Sequence, residues 1–112
     1  MLTDLSAYRD VNRLFVVFAP SKEDARLIRQ ERLLRGSASG FKERDLLKLV
    51  FLSGETALRR KYRIAKNEFR MLLVGKDGIV AFSSKDPVSP KTVFARIDAM
   101  PMRRAEMRRR KG

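Results

Sequence analysis

Between Phe69 and Phe82 the chain reads FRMLLVGKDGIVAF, two apolar runs separated by Gly75-Lys76-Asp77-Gly78. Asp77-Gly78 is a two-residue reversal signal, because glycine accepts the positive φ that a tight hairpin turn demands, so the whole stretch is expected to be a buried β-hairpin. Phe69 to Val74 carries almost no polar alternation. A strand written that way is buried on both faces. The remaining segments must therefore supply two layers of cover. This constrains architecture far more than activity.

Upstream, Arg13 to Ala19 (RLFVVFA) is rich in β-branched and aromatic residues and is closed by Pro20, which predicts a central strand. Ser21, with Asp24 three residues on, has the spacing of a capping box, so a helix is expected from Lys22 to about Arg35, ended by Gly36. Gly36 to Gly40 reads as a flexible loop tip, and Leu46 to Leu52 (LLKLVFL) as a second strand. Ala57 to Ile64 predicts a short helix with Leu58 and Tyr62 inward and its basic residues outward. After the hairpin, Ser89 as N-cap and Pro90 at the first helical position start a last helix with Val93, Phe94 and Ile97 on its apolar stripe. Pro101 is expected to interrupt it and to leave residues 102–112 as a basic tail. At the other end, Leu2, Leu5, Tyr8 and Val11 recur every three residues, as in a helical turn or an arm laid on the core.

Strand, helix, strand, short helix, hairpin, helix is a βαβαββα order. A right-handed crossover sets the first two strands parallel, and the hairpin adds two antiparallel ones. The expected fold is α/β and thioredoxin-like: a four-stranded mixed sheet in the order 2-1-3-4 with helices on both faces. At 112 residues the chain is expected to be one domain. Its longest apolar run, Leu14 to Pro20, is far short of the roughly 20 residues that span a bilayer. Met1 to Asp10 lacks the pattern of an export leader, so the expected location is cytoplasmic, or periplasmic or secreted if a leader precedes Met1.

Histidine and cysteine are both absent. That removes disulfides, thiol redox chemistry, thiolate zinc sites and hydrolysis by serine-histidine or cysteine-histidine pairs. The acidic residues Asp45, Asp77, Asp86 and Asp98 are scattered, so no metal site is expected, and no cofactor is implied. The net charge of +13 favours an anionic partner, either a polyanion or an acidic protein.

RLFVVFAPS, GlnGluArg in the first helix, GluArgAspLeu before the second strand, LLVGKDGIV and IDAMPMRRAEM together resemble domain-of-unknown-function family 4174. The resemblance runs from about Leu5 to Met107, and Gly75, Asp77, Gly78, Asp98 and Pro101 lie in its most specific stretches. That family is also present in vertebrate extracellular sushi-repeat and coiled-coil matrix proteins. It implies a peroxiredoxin-like fold without catalytic cysteines, and so a loss of thiol chemistry rather than an activity. Asp10 departs from the aromatic residue common in relatives, which bears on how the N-terminal arm packs.

Two candidate sites remain. Ser21 and Lys22 stand at a helix start, where backbone N–H groups can hold an anion, although capping alone explains Ser21. In thioredoxins this turn carries the active cysteines, and the proline before the third strand is here replaced by Asn67-Glu68-Phe69. The second candidate is the tail, with Arg103, Arg104, Arg108, Arg109, Arg110 and Lys111. It could engage nucleic acid, an anionic polysaccharide or a membrane surface, or be a solvated helix end; Arg103 and Arg104 could instead pair with Asp98 or Glu106. No aromatic residue is interleaved with these arginines, which disfavours single-strand binding. Gly75-Lys76-Asp77-Gly78 joins two strands and lacks the phosphate-loop pattern. Ser39 and Lys42 have S-x-x-K spacing but are expected in a loop, where chance explains them better. The leading expectation is a non-catalytic thioredoxin-like binding or structural module. The alternatives are an enzyme or small-ligand binder at Ser21 and a nucleic-acid binder through the tail.

Overall fold

The computed structural model describes residues 4–111; Leu2 of the expected N-terminal arm and the side chain of Lys111 lie outside it. Strands β1 (Arg13–Phe18), β2 (Leu46–Phe51), β3 (Arg70–Val74) and β4 (Val80–Ser84) form one sheet in the order β2-β1-β3-β4. β1 runs parallel to β2 and antiparallel to β3, and β3 runs antiparallel to β4. This is the expected 2-1-3-4 thioredoxin-like sheet.

All of β1 is buried, and its alternating side chains feed two cores. Phe15 and Val17 join Met71 and Leu73 beneath helices α1 (Ala25–Leu33), α2 (Ala38–Glu43) and α4 (Pro90–Asp98). Leu14, Val16 and Phe18 join Leu72 and Val74 beneath the 3-10 turn Ser6–Tyr8 and helix α3 (Ala57–Tyr62). Two-sided burial of β3 is thus the reason its sequence lacks alternation, each such side chain contributing roughly 1.5–3 kcal/mol. In the arm, Leu5 is buried and Tyr8 packs on the second core, while Val11 is exposed and Asp10 adopts φ +68°.

The hairpin turns as expected, but only β3 is buried: β4 is an edge strand, and Ile79 and Val80 are exposed, because no strand among the described residues pairs with its outer side. Gly78 has φ +82°, its N–H donates to the Gly75 carbonyl at 2.9 Å, and the Asp77 carboxylate accepts from the Ile79 N–H at 2.9 Å. Ser89 caps α4 and Pro90 is its first residue.

Four further local expectations fail. Asp24, not Ser21, caps α1: its carboxylate accepts from the N–H groups of Arg26 and Leu27. The Ser21 carbonyl instead accepts the Asp24 N–H at 3.2 Å, a turn that delays the helix to Ala25. Gly36 to Gly40 is not a loop tip throughout, since α2 begins at Ala38 and carries Ser39 and Lys42. What fixes it is tertiary: Phe41 packs on the first core, 5.8 Å from Phe15 and from Phe94. Pro101 does not release a tail but opens helix α5 (Pro101–Lys111), where its missing N–H is not needed. Finally, not all the basic residues of α3 face out, since Arg59 is buried.

Candidate functional site

The turn from Ala19 to Lys22 follows β1 and leads toward α1. Ala19 is buried, Ser21 is half-buried and Lys22 is exposed. An anion here would need free amides at the helix start, but Asp24 already occupies those of Arg26 and Leu27. Its carboxyl is held below the ordinary range, first by the Arg26 guanidinium, which also fastens it at 2.9 Å.

Beneath the turn lies Arg59, which sequence reasoning placed in solvent. Its guanidinium donates to the carbonyls of Ala19 at 2.8 Å, Ala65 at 2.5 Å and Glu68 at 3.4 Å, and its Nε donates to Leu52 at 3.5 Å. One cation thus ties the end of β1 to the segments that leave β2 and enter β3. Burial draws its pKa down, with Glu68 opposing. With no carboxylate partner among the described residues, Arg59 is fully engaged by backbone oxygens and offers nothing outward.

The second candidate is divided by the structure. Arg103 is 2% exposed and serves the interior, its Nε donating to Asp98 at 3.2 Å and its other nitrogens to the carbonyl and carboxylate of Glu43. Glu106, one turn on, accepts two bonds from Arg13, at 3.2 and 3.3 Å, and one from Lys76 at 2.8 Å. Arg44 donates to Asp98 at 2.9 and 3.1 Å and lies 4.1 Å over the Phe94 ring. Lys76 also reaches Asp45 at 2.8 Å. Four cations and four carboxylates therefore lock α5 to α2, to the start of β1 and to the hairpin turn. Burial alone would raise the Glu106 carboxyl, but Lys76 and Arg13 hold it at about 2. The Asp98 carboxyl is likewise lowered by Arg44 and Arg103 against burial. Gly75 and Pro101 border a cavity of about 380 Å³ beside Arg13, whose Nε is a buried polar atom with no hydrogen-bond partner.

Arg104, Arg108, Arg109 and Arg110 are exposed. Arg110 donates to the Glu43 carbonyl at 3.2 Å, while Arg104, Arg108 and Arg109 make no ion pair among the described residues. Arg104 and Arg108 are four apart and share one side of α5. Arg103 thus stands apart from the outward arginines of α5. Ser39 and Lys42 are both exposed, and no hydrogen bond joins them. Among the described residues no group of three or more acidic side chains is placed to hold a metal, and no helix is long and apolar enough to cross a membrane.

The crystal structure of the reduced 2-Cys peroxiredoxin of Plasmodium vivax superposes on this chain with a TM-score of 0.72 at 13% identity, covering 92% of this chain and 84% of that one. At that identity the likeness establishes the thioredoxin-like fold. The cysteines named for that protein have no counterpart here. The family model described as Domain of unknown function (DUF4174) matches residues 4–106, from the N-terminal turn to Glu106. On that match, which takes in the sheet and most of the ion-pair network, the chain belongs to the DUF4174 family.

Proposed function

We propose that this chain is a non-catalytic, thioredoxin-like binding module for an acidic partner, engaged by the outward arginines of α5. The observation that carries this reading is the division of charge around that helix. Glu43, Asp45, Asp98 and Glu106 are spent on inward cations, whereas Arg104, Arg108 and Arg109 face solvent without a carboxylate. With no thiol and no imidazole, and with Asp24 filling the amides at the start of α1, the turn at Ser21 has neither nucleophile activation nor an anion hole.

Heparin is a suitable probe polyanion. Replacing Arg104, Arg108 and Arg109 together by alanine should move elution to distinctly lower salt and reduce the slope of log affinity against log salt by about 2 to 3, roughly one for each arginine removed. Because these side chains are exposed and make no ion pair among the described residues, the variant should not lose thermal stability. Elution unchanged by the triple substitution would overturn the reading.

A further inference from the structure

The sheet has two outer edges, and they are built differently. Along β4 the pairing slips: Leu73 faces Phe82 while Val74 faces Val80, so Ala81 is an extra residue in a bulge. A bulge breaks the regular ladder that an incoming strand would need, and is a common protection of edges. β2 has no such protection. It pairs with β1 in unbroken register from Arg13 opposite Leu46 to Phe18 opposite Phe51, which leaves its other side unpaired. No residue from Leu47 to Val50 makes a further backbone hydrogen bond among the described residues.

The one charge in β2 that would deter pairing, Lys48, is drawn to Glu31 on α1. Leu47 and Leu52 are 40% and 37% exposed. Beside the strand opens a cavity of about 570 Å³ whose lining includes Leu34, Phe41, Leu46 and Leu47 together with Lys42, Lys48 and Asp45. The carboxylates of this region, Glu31, Glu43 and Asp45, are bonded to Lys48, Arg103 and Lys76, whereas Lys42, Arg32 and Arg35 have no ion pair among the described residues.

We infer that the outer edge of β2 receives, by strand addition, an extended segment of an acidic partner protein. Its backbone would complete the β2 ladder, its alternate apolar side chains would enter the cavity, and its carboxylates would meet Lys42 and Arg35. A second copy of this chain fits less well, since it brings the same +13 and sets Lys48-bearing strands against each other. The inference rests on the reading of the chain as a module for an acidic partner, and adds that the partner is a protein and which strand it pairs with.

The test uses isotope-labelled full-length protein and a fluorescent peptide of alternating valine and threonine ending in glutamates. Amide shifts should concentrate on Leu46 to Phe51, and methylating alternate peptide nitrogens should weaken binding at least about tenfold. Leu47→Glu, at an exposed position, should also weaken it about tenfold while leaving heparin retention and the thermal midpoint unchanged. Absence of binding, shifts on Val80 to Ser84 or on α5 alone, or equal binding of the methylated peptide would overturn the inference. Dimerisation abolished by Leu47→Glu would likewise overturn it and assign the edge to a second copy. Loss of heparin retention in the arginine variant without peptide binding sinks this inference alone; peptide binding at β2 with heparin retention unchanged sinks only the α5 reading.

Discussion

Arg13, Lys76 and, at 3.7 Å, Arg103 converge on the Glu106 carboxylate. Arg13 is 1% exposed and Arg103 2%, so neither can turn to water if that charge is lost. Because the folded pKa of Glu106, about 2, lies below its ordinary 4.5, its contribution is complete above pH 4.5 and is lost as pH falls toward 2. With allowance for its partial contact with water, that contribution is on the order of 2 kcal/mol. Urea denaturation should therefore give a stability that declines across that window. Glu106→Gln should flatten the decline and lower stability at pH 7 by about 3 kcal/mol, since it leaves the buried Arg13 guanidinium without a carboxylate among the described residues. A variant with the parental acid profile would mean that Asp98 and Glu68, whose carboxyls are also lowered, carry the effect.

At the scale of elements, α2 is held by packing rather than by its own sequence. A methyl group added at Gly40 would lie 2.6 Å from the edge of the Phe94 ring, which is fixed edge-on against Phe41 and under Arg44. Alanine gains roughly 1 kcal/mol of helix propensity over glycine, but overpacking typically costs about 1–3 kcal/mol, so Gly40→Ala should destabilise by about 1 kcal/mol net. A stabilised variant, measured by denaturant midpoint, would mean that Phe94 yields freely. The same contrast separates what was legible in the sequence from what was not. The strands, the Asp77-Gly78 turn, the Ser89-Pro90 start and the sheet order follow from local pattern and chain connectivity. α2 is not legible locally, because Gly-Ser-Ala-Ser-Gly has a loop composition that is overridden by where Phe41 lands. Ser21 and Asp24 are both good caps, and only a turn between them chooses. Arg13, Arg59 and Arg103 look like surface residues in any window. Their burial depends on partners 93, 40 and 60 positions away, in Glu106, Ala19 and Glu43, and no periodicity signals a pairing at that range, although the nearby pairing of Arg103 with Asp98 is expected from sequence. Of the candidate site, the basic composition and a pairing of Arg103 with Asp98 or Glu106 are readable, whereas the outward position of Arg104 and the part Arg13, Arg44 and Lys76 take in the network are not.

Over the whole molecule the inward pairs leave a large uncompensated charge. At about 0.01 M salt the Debye length is about 30 Å, and at 0.15 M about 8 Å. The molecule measures 46 × 27 × 19 Å, so in dilute buffer nearly every exposed cation feels the others, whereas at physiological salt each feels only its neighbours. The most strongly lowered carboxylate is withdrawn from salt, since Glu106 and its partners Arg13 and Lys76 are 12%, 1% and 11% exposed, and the more exposed pairs of Glu31, Glu43, Asp45 and Asp98 are few against a net charge of +13. Screening should therefore remove more repulsion than attraction. Raising sodium chloride from dilute to physiological should increase the thermal midpoint by at least about 4 °C, the equivalent of roughly 1 kcal/mol in a chain of this size. Sodium sulfate at matched ionic strength separates the two ways in which this can happen. Equal midpoints in the two salts mean general screening of the +13, while a further rise in sulfate reports anions held at sites such as the α5 face, and should vanish in the Arg104, Arg108 and Arg109 alanine variant. A midpoint that falls with salt would mean that exposed pairs such as Arg26 with Asp24 outweigh the repulsion, and that the charge of this molecule is balanced where it matters for folding.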